Sequence, residues 1–186
     1  MKKNNFTYKM AICFSLFCCC ELNNTVLAHE GHDHPHNTEQ ITIGRSTYTH
    51  FKSILSVYHE VFDDVSSGQL NHVPVSAQML INTAKKGIET ESRNPGLHMM
   101  QCILEGAQKL QRAECLQDAQ NAFALISDAI SPFLQSWPNL LKNNKINLFE
   151  CKAHGHYWLQ PHDASPVCPY AYGVTTKCSI VTIDIH

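Results

Sequence analysis

The residues with the clearest chemical capacity lie near the C-terminus, where Cys151-Lys152-Ala153-His154-Gly155-His156 is followed by Cys168 and Cys178. A thiol and two imidazoles fall within six residues. In an extended segment His154 and His156 project to the same face, which is a chelating geometry. Adding Cys168 or Cys178 completes a four-ligand set suited to Zn²⁺, whereas two thiolates with fewer imidazoles suit Cu⁺. Thiols lose a proton when they ligate, so affinity should fall in acid. The spacing is less specific than paired Cys-x2-Cys motifs.

A second donor-rich stretch is His29-Glu30-Gly31-His32-Asp33-His34-Pro35-His36, with no apolar residue to bury. It reads as a disordered tail over 29–40 whose four imidazoles (His29, His32, His34 and His36) capture metal with little selectivity.

Upstream, Lys2, Lys3 and Lys9 precede the apolar run Met10 to Cys20, and Val26-Leu27-Ala28 offers a cleavage site. This predicts a signal peptide over 1–28 and export across the inner membrane, most simply to a periplasm. The run is 11 residues, against the roughly 20 needed to span a bilayer, so no permanent membrane span is expected. Lipid attachment at Cys18, Cys19 or Cys20 is the rival, and bulky Phe17 argues against it. Removing the signal takes Lys+Arg from 14 to 11 and Asp+Glu from 16 to 15, leaving a net charge of −4. Nothing in that balance attracts a nucleic acid.

An exported chain meets an oxidising compartment, so Cys102, Cys115, Cys151, Cys168 and Cys178 have a second reading as disulfides. Cys151 with Cys178, or Cys168 with Cys178, would exclude a metal, and the two states can alternate.

The middle of the chain must position these donors. Four stretches carry apolar residues at steps of three and four. Tyr48, Phe51, Leu55, Tyr58, Phe62 and Val65 form the first, with Ser46 as cap and Ser66-Ser67-Gly68 as stop. A second starts near Pro74 and buries Ala77, Leu80, Ile81, Ala84 and Ile88. Asn94 as N-cap and Pro95 at the first position open the third, with Met100, Ile103, Leu104, Ala107 and Leu110 inside. The fourth runs from about Glu114 through Leu116, Ala119, Phe123, Ile126, Ile130, Phe133 and Trp137, kinked at Pro132 and ended by Pro138.

Short connections predict a mainly α fold, an antiparallel up-down four-helix bundle over 41–145. Residues 146–186 read as a small Cys/His-rich, irregular or β-containing appendage packed on the bundle, with strands at 146–149 and 180–185.

The appendage also carries a family resemblance. Cys151, His154-Gly155-His156-Tyr157-Trp158-Leu159, Pro169-Tyr170-Ala171-Tyr172-Gly173 and Lys177-Cys178-Ser179 resemble the C-terminal signature of an uncharacterised periplasmic domain family. That family occurs alone or fused to periplasmic adaptor subunits of copper and silver efflux systems. Its pattern is Cys-Pro-Met-Ala, Gly-x-x-Trp-Leu-Ser, Asn-Pro-Tyr-Tyr-Gly and Thr-Cys-Gly, with a His-Met pair in the helical part. The resemblance implies Cys151, Cys178, His98 and Met99 as metal-site residues. It departs at Lys152-Ala153, which removes the thioether beside Cys151, and at Cys168, which replaces Asn.

The reading is therefore an exported protein that binds copper or zinc, buffering or delivering it, with an efflux adaptor as possible protein partner. Its rival is a disulfide-stabilised secreted interaction module. No enzyme is expected: no Ser/His/Asp order, phosphate-binding glycine loop or mature Cys-x-x-Cys stands in the chain.

Overall fold

Four apolar stripes become four helices, α1 Arg45–Ser67, α2 Val73–Thr90, α3 Asn94–Gln111 and α4 Leu116–Ser136. The computed structural model describes residues 41–172 and 180–182. The signal peptide over 1–28, the tail over 29–40 with His29, His32, His34 and His36, and Cys178 lie outside the described residues.

Side-chain pairs show the helices alternating in direction. Phe51 meets Phe133 edge-on at 4.8 Å between ring centroids, Tyr58 meets Phe123 at 4.8 Å, and Phe62 meets the same Phe123 at 6.4 Å. Numbers rise along α1 as they fall along α4, so the two run antiparallel. Gln111 at the end of α3 bonds Gln78 at the start of α2, while Gly87 near the end of α2 faces Met100 near the start of α3. Gly106 lets α3 approach α4 closely, because a Cβ there would lie 2.6 Å from Ile126 Cγ1 and 3.3 Å from the Ala122 carbonyl oxygen. The result is the expected up-down bundle. Its core holds most of the predicted stripes, with Tyr48, Ile88, Leu104 and Leu116 only partly buried at its edge, together with Ile54, Val57 and Val61, which widen the buried face of α1. Each fully buried side chain of this size contributes about 1.5–3 kcal/mol relative to exposure.

Element boundaries correct the sequence expectations in five places. Ser46 does not cap α1: Gly44 does, and its N–H donates to Glu91 Oε2 at 2.7 Å. Asn94 is already helical, with Arg93 as cap. The reason is again Glu91, whose Oε1 accepts the N–H groups of Ser92 (3.0 Å) and Arg93 (2.9 Å) and turns the chain one residue early. Pro95 still falls in the first turn, where a missing N–H is harmless. Trp137 is not on the α4 stripe but just past the helix, about one-third exposed, with its indole N–H on the Ile41 carbonyl. A short helix, α5 Pro138–Asn144, follows where no element was expected. Finally, a further strand lies between the two expected ones.

That strand is β2 (His156–Pro161), paired antiparallel with β1 (Ile146–Cys151), which also pairs with β3 (Ile180–Thr182), giving the order β2-β1-β3. The register sets Phe149 opposite Trp158 and Cys151 opposite both His156 and Ile180. Trp158, Leu159 and Gln160 are buried in succession. Alternate side chains point to opposite faces, so both faces of β2 are covered. Among the described residues no helix is long and apolar enough to cross a membrane.

Glu91 generates a test. Its side chain is fully buried between the starts of α1 and α3. Burial alone would raise the carboxyl, but donors from Gly44, Arg93, Thr47 and Ser92 outweigh it and hold the group below its ordinary 4.5. A carboxyl depressed on folding stabilises above its unfolded value, and that stabilisation is lost as pH falls through the folded value. Wild-type stability from urea unfolding should therefore drop as pH falls below about 4.5. Glu91→Gln should be less stable at neutral pH by about 1–3 kcal/mol, with a shallower acid loss. Parallel pH profiles for the two proteins would count against this role.

Candidate metal centre

The centre begins with a turn. Between the paired residues Cys151 and His156, the Cys151 carbonyl accepts the N–H groups of His154 (3.1 Å) and Gly155 (2.7 Å), and Gly155 sits at φ +70°. A left-handed residue is tolerated there because glycine has no Cβ to clash. Reversal folds His154 back over Cys151, with Nδ1 3.0 Å from the sulfur. The expected extended segment with His154 and His156 on one face is thus replaced by a hairpin, which sends the two imidazoles to different partners.

Cys168 arrives from the other side, its sulfur 3.7 Å from the same His154 Nδ1. Three polar clamps deliver it. Gln160 accepts the Val167 N–H (3.1 Å) and donates to the Ser165 carbonyl (2.6 Å), shaping the loop that follows β2. Gln120 of α4 donates to the Pro169 carbonyl at 2.9 Å, and the Tyr170 hydroxyl donates to the Tyr157 carbonyl at 2.6 Å. Burial raises the Tyr170 hydroxyl well above the ordinary phenol range, so it stays protonated as a donor.

Cys151, His154 and Cys168 therefore present ligating atoms that all lie within 4.8 Å of one another and could hold a metal ion. Around a tetrahedral Zn²⁺, S and N ligands stand about 3.5 Å apart, a separation that 3.0 and 3.7 Å bracket. Both sulfurs are buried and the imidazole is half-buried.

The other expected ligands fall elsewhere. His156 Nδ1 is 2.9 Å from Asp128 Oδ2 on α4, while Asp128 Oδ1 accepts the Tyr157 N–H at 3.3 Å. The hydrogen bond that His156 donates to Asp128 holds the ring above the ordinary imidazole range against the opposing effect of burial. Met99 is buried in the bundle core. His98, next to it in sequence but turned outward, lies 3.6 Å (Nε2) from the Cys102 sulfur one turn on. Neither belongs to the Cys151 cluster. A recess of about 200 Å³ opens beside the cluster, between Gln117, Gln120, Asn121 and Ala124 of α4 and the hairpin imidazoles His154 and His156, with Tyr170 on its wall.

No family model, curated protein or solved structure matches this chain.

Sequence reasoning missed Asp128, Gln120, Ser127 and Tyr58, all of which position the centre. A signal was present on α4: Gln120, Ser127 and Ser131 are buried polar residues beside its apolar stripe. Polar side chains in such places are held by partners. Ser127 bonds the Tyr58 hydroxyl at 2.8 Å, and that hydroxyl also accepts the Leu159 N–H of β2 at 3.1 Å. Tyr58→Phe takes away the acceptor of the buried Leu159 N–H and one partner of the Ser127 hydroxyl. Urea unfolding should show a loss of about 1–3 kcal/mol, with helical circular dichroism unchanged. Wild-type stability in Tyr58→Phe would remove the hydroxyl from this account.

Proposed function

We propose that this is an exported metal-binding protein that buffers or delivers copper or zinc, in a pathway linked to metal efflux. The observation that supports it best is the convergence of Cys151, His154 and Cys168 on one point from a hairpin turn and a clamped loop. Two thiolates and one imidazole form a soft set, and soft thiolates select Cu⁺. Cu⁺ accepts a low coordination number that the described residues can fill by themselves, whereas Zn²⁺ in a structural site takes four ligands; with Cys178 outside the described residues, either ion is a candidate cargo. The His-rich tail adds weak, unselective capture ahead of the buried site, and an efflux adaptor subunit is the receiving partner this reading favours. Because each thiol loses a proton on binding, affinity falls in acid.

The test is anaerobic titration of the reduced, untagged secreted chain with Cu⁺, and separately Zn²⁺, against a competing chromophoric chelator. One site tighter than about 1 μM, or about −8 kcal/mol, is expected. Cys151→Ser combined with Cys168→Ser should abolish it and leave the weak tail sites. Absence of any site tighter than micromolar would end the proposal.

A second reading, a disulfide-stabilised interaction module, draws on Val75 and Met79, which are exposed one turn apart on α2. It expects reductant to lower the melting temperature and metal to leave it unchanged.

A further inference from the structure

The buried sulfurs raise a problem of access. Cys151 is 0% exposed and Cys168 is 7% exposed, so an ion arriving from solvent meets other donors first. At the recess those donors are His154 and His156. The His156 side chain is 41% exposed.

His156 is also built as a ligand. With Nδ1–H donating to Asp128 Oδ2 at 2.9 Å, the neutral ring carries its lone pair on Nε2. Asp128 is itself fixed, because its second oxygen accepts the Tyr157 N–H. Carboxylates that hold the far nitrogen of an imidazole set its tautomer and orientation and raise its basicity toward metals. Tyr170 flanks both imidazoles, with its ring 6.1 Å from His154 and 5.3 Å from His156. Its hydroxyl is tied to the Tyr157 carbonyl, so that wall of the recess is fixed.

We propose that the recess is the port of the metal centre and that His156, positioned by Asp128, is its loading ligand. This rests on the metal-binding reading above. An incoming Cu⁺ or Zn²⁺ bonds His156 Nε2 first, then His154, and the bond to His156 breaks as the Cys151 and Cys168 sulfurs take the ion, each thiol releasing its proton to solvent through the recess. The ion keeps its oxidation state, and the Nδ1 proton stays in its bond to Asp128. His156 thus sets how fast metal enters and leaves, and Asp128 is a positioning residue.

Equilibrium and rate separate this role from a resident ligand. The probe is Cu⁺ delivered as its chromophoric chelator complex to the reduced, full secreted chain, with loading followed by stopped-flow absorbance and affinity by competition. The His-rich tail is common to all variants. For His156→Ala, loading should slow about 10- to 100-fold while the dissociation constant of the tight site changes less than about threefold. Asp128→Asn should slow loading to a smaller degree. Millimolar imidazole should restore the rate of His156→Ala by occupying the recess, and should not restore Asp128→Asn, where the native ring still fills it. A structural defect would not respond to imidazole. Wild-type loading by His156→Ala would overturn the proposal, and so would a loss of affinity as large as the loss of rate. If the wild type binds no metal tightly, the metal-binding reading itself fails.

Discussion

The Tyr58 hydroxyl, fully buried where α1, α4 and β2 meet, is the contact on which the rest of the architecture depends. It bonds Ser127 and accepts from the Leu159 backbone, so one oxygen joins two helices to the sheet. Burial raises its ionisation far above the ordinary phenol range, and no change of pH near neutrality breaks the link. A buried polar group without partners is expensive, so this triple junction permits one docking of β2 and excludes neighbouring ones. With Leu159 fixed, the β1–β2 register places Cys151 opposite His156. The turn then has four residues, Lys152 to Gly155, in which to reverse.

The metal centre is assembled from short local geometry and long-range clamps. Cys151 and His154 meet because of a tight turn that three residues and a left-handed glycine suffice to make. Cys168 joins them only because Gln120, Gln160 and Tyr170 hold the loop on either side of it. Each clamp spends a buried polar side chain on a backbone group that would otherwise be unsatisfied. The same α4 that supplies Gln120 carries Asp128, four residues before Pro132. A proline lacks the N–H that would bond the Asp128 carbonyl, and α4 runs on through it to Ser136.

Much of the fold was legible from one line of letters. The helical stripes of α1 to α4 follow from periodicity, because an amphipathic helix must turn its apolar residues to one side, and loops of a few residues leave antiparallel packing as the simple solution. The ends of the helices were less legible. Glu91 moved the α1 and α3 starts because its carboxylate out-competed Ser46 and Asn94 as acceptor, and its three backbone partners span residues 44 to 93. β2 escaped notice because its centre, Trp158 to Gln160, is buried on both faces and shows no alternation. α5 is too short for a periodic signal.

The sequence by itself determined the donor inventory, the helical bundle and the location of a Cys/His-rich appendage, since composition and spacing are local properties of the chain. Tertiary structure alone decided which donors meet. It gave His154 and His156 different partners, seated Met99 in the core, left His98 beside Cys102, and brought Cys168 within 4.8 Å of Cys151, 17 residues earlier in the chain. The physical reason is that a ligand set is a statement about distances of a few ångström, and such distances depend on a turn conformation and on hydrogen bonds between residues as far apart as Tyr58 and Leu159.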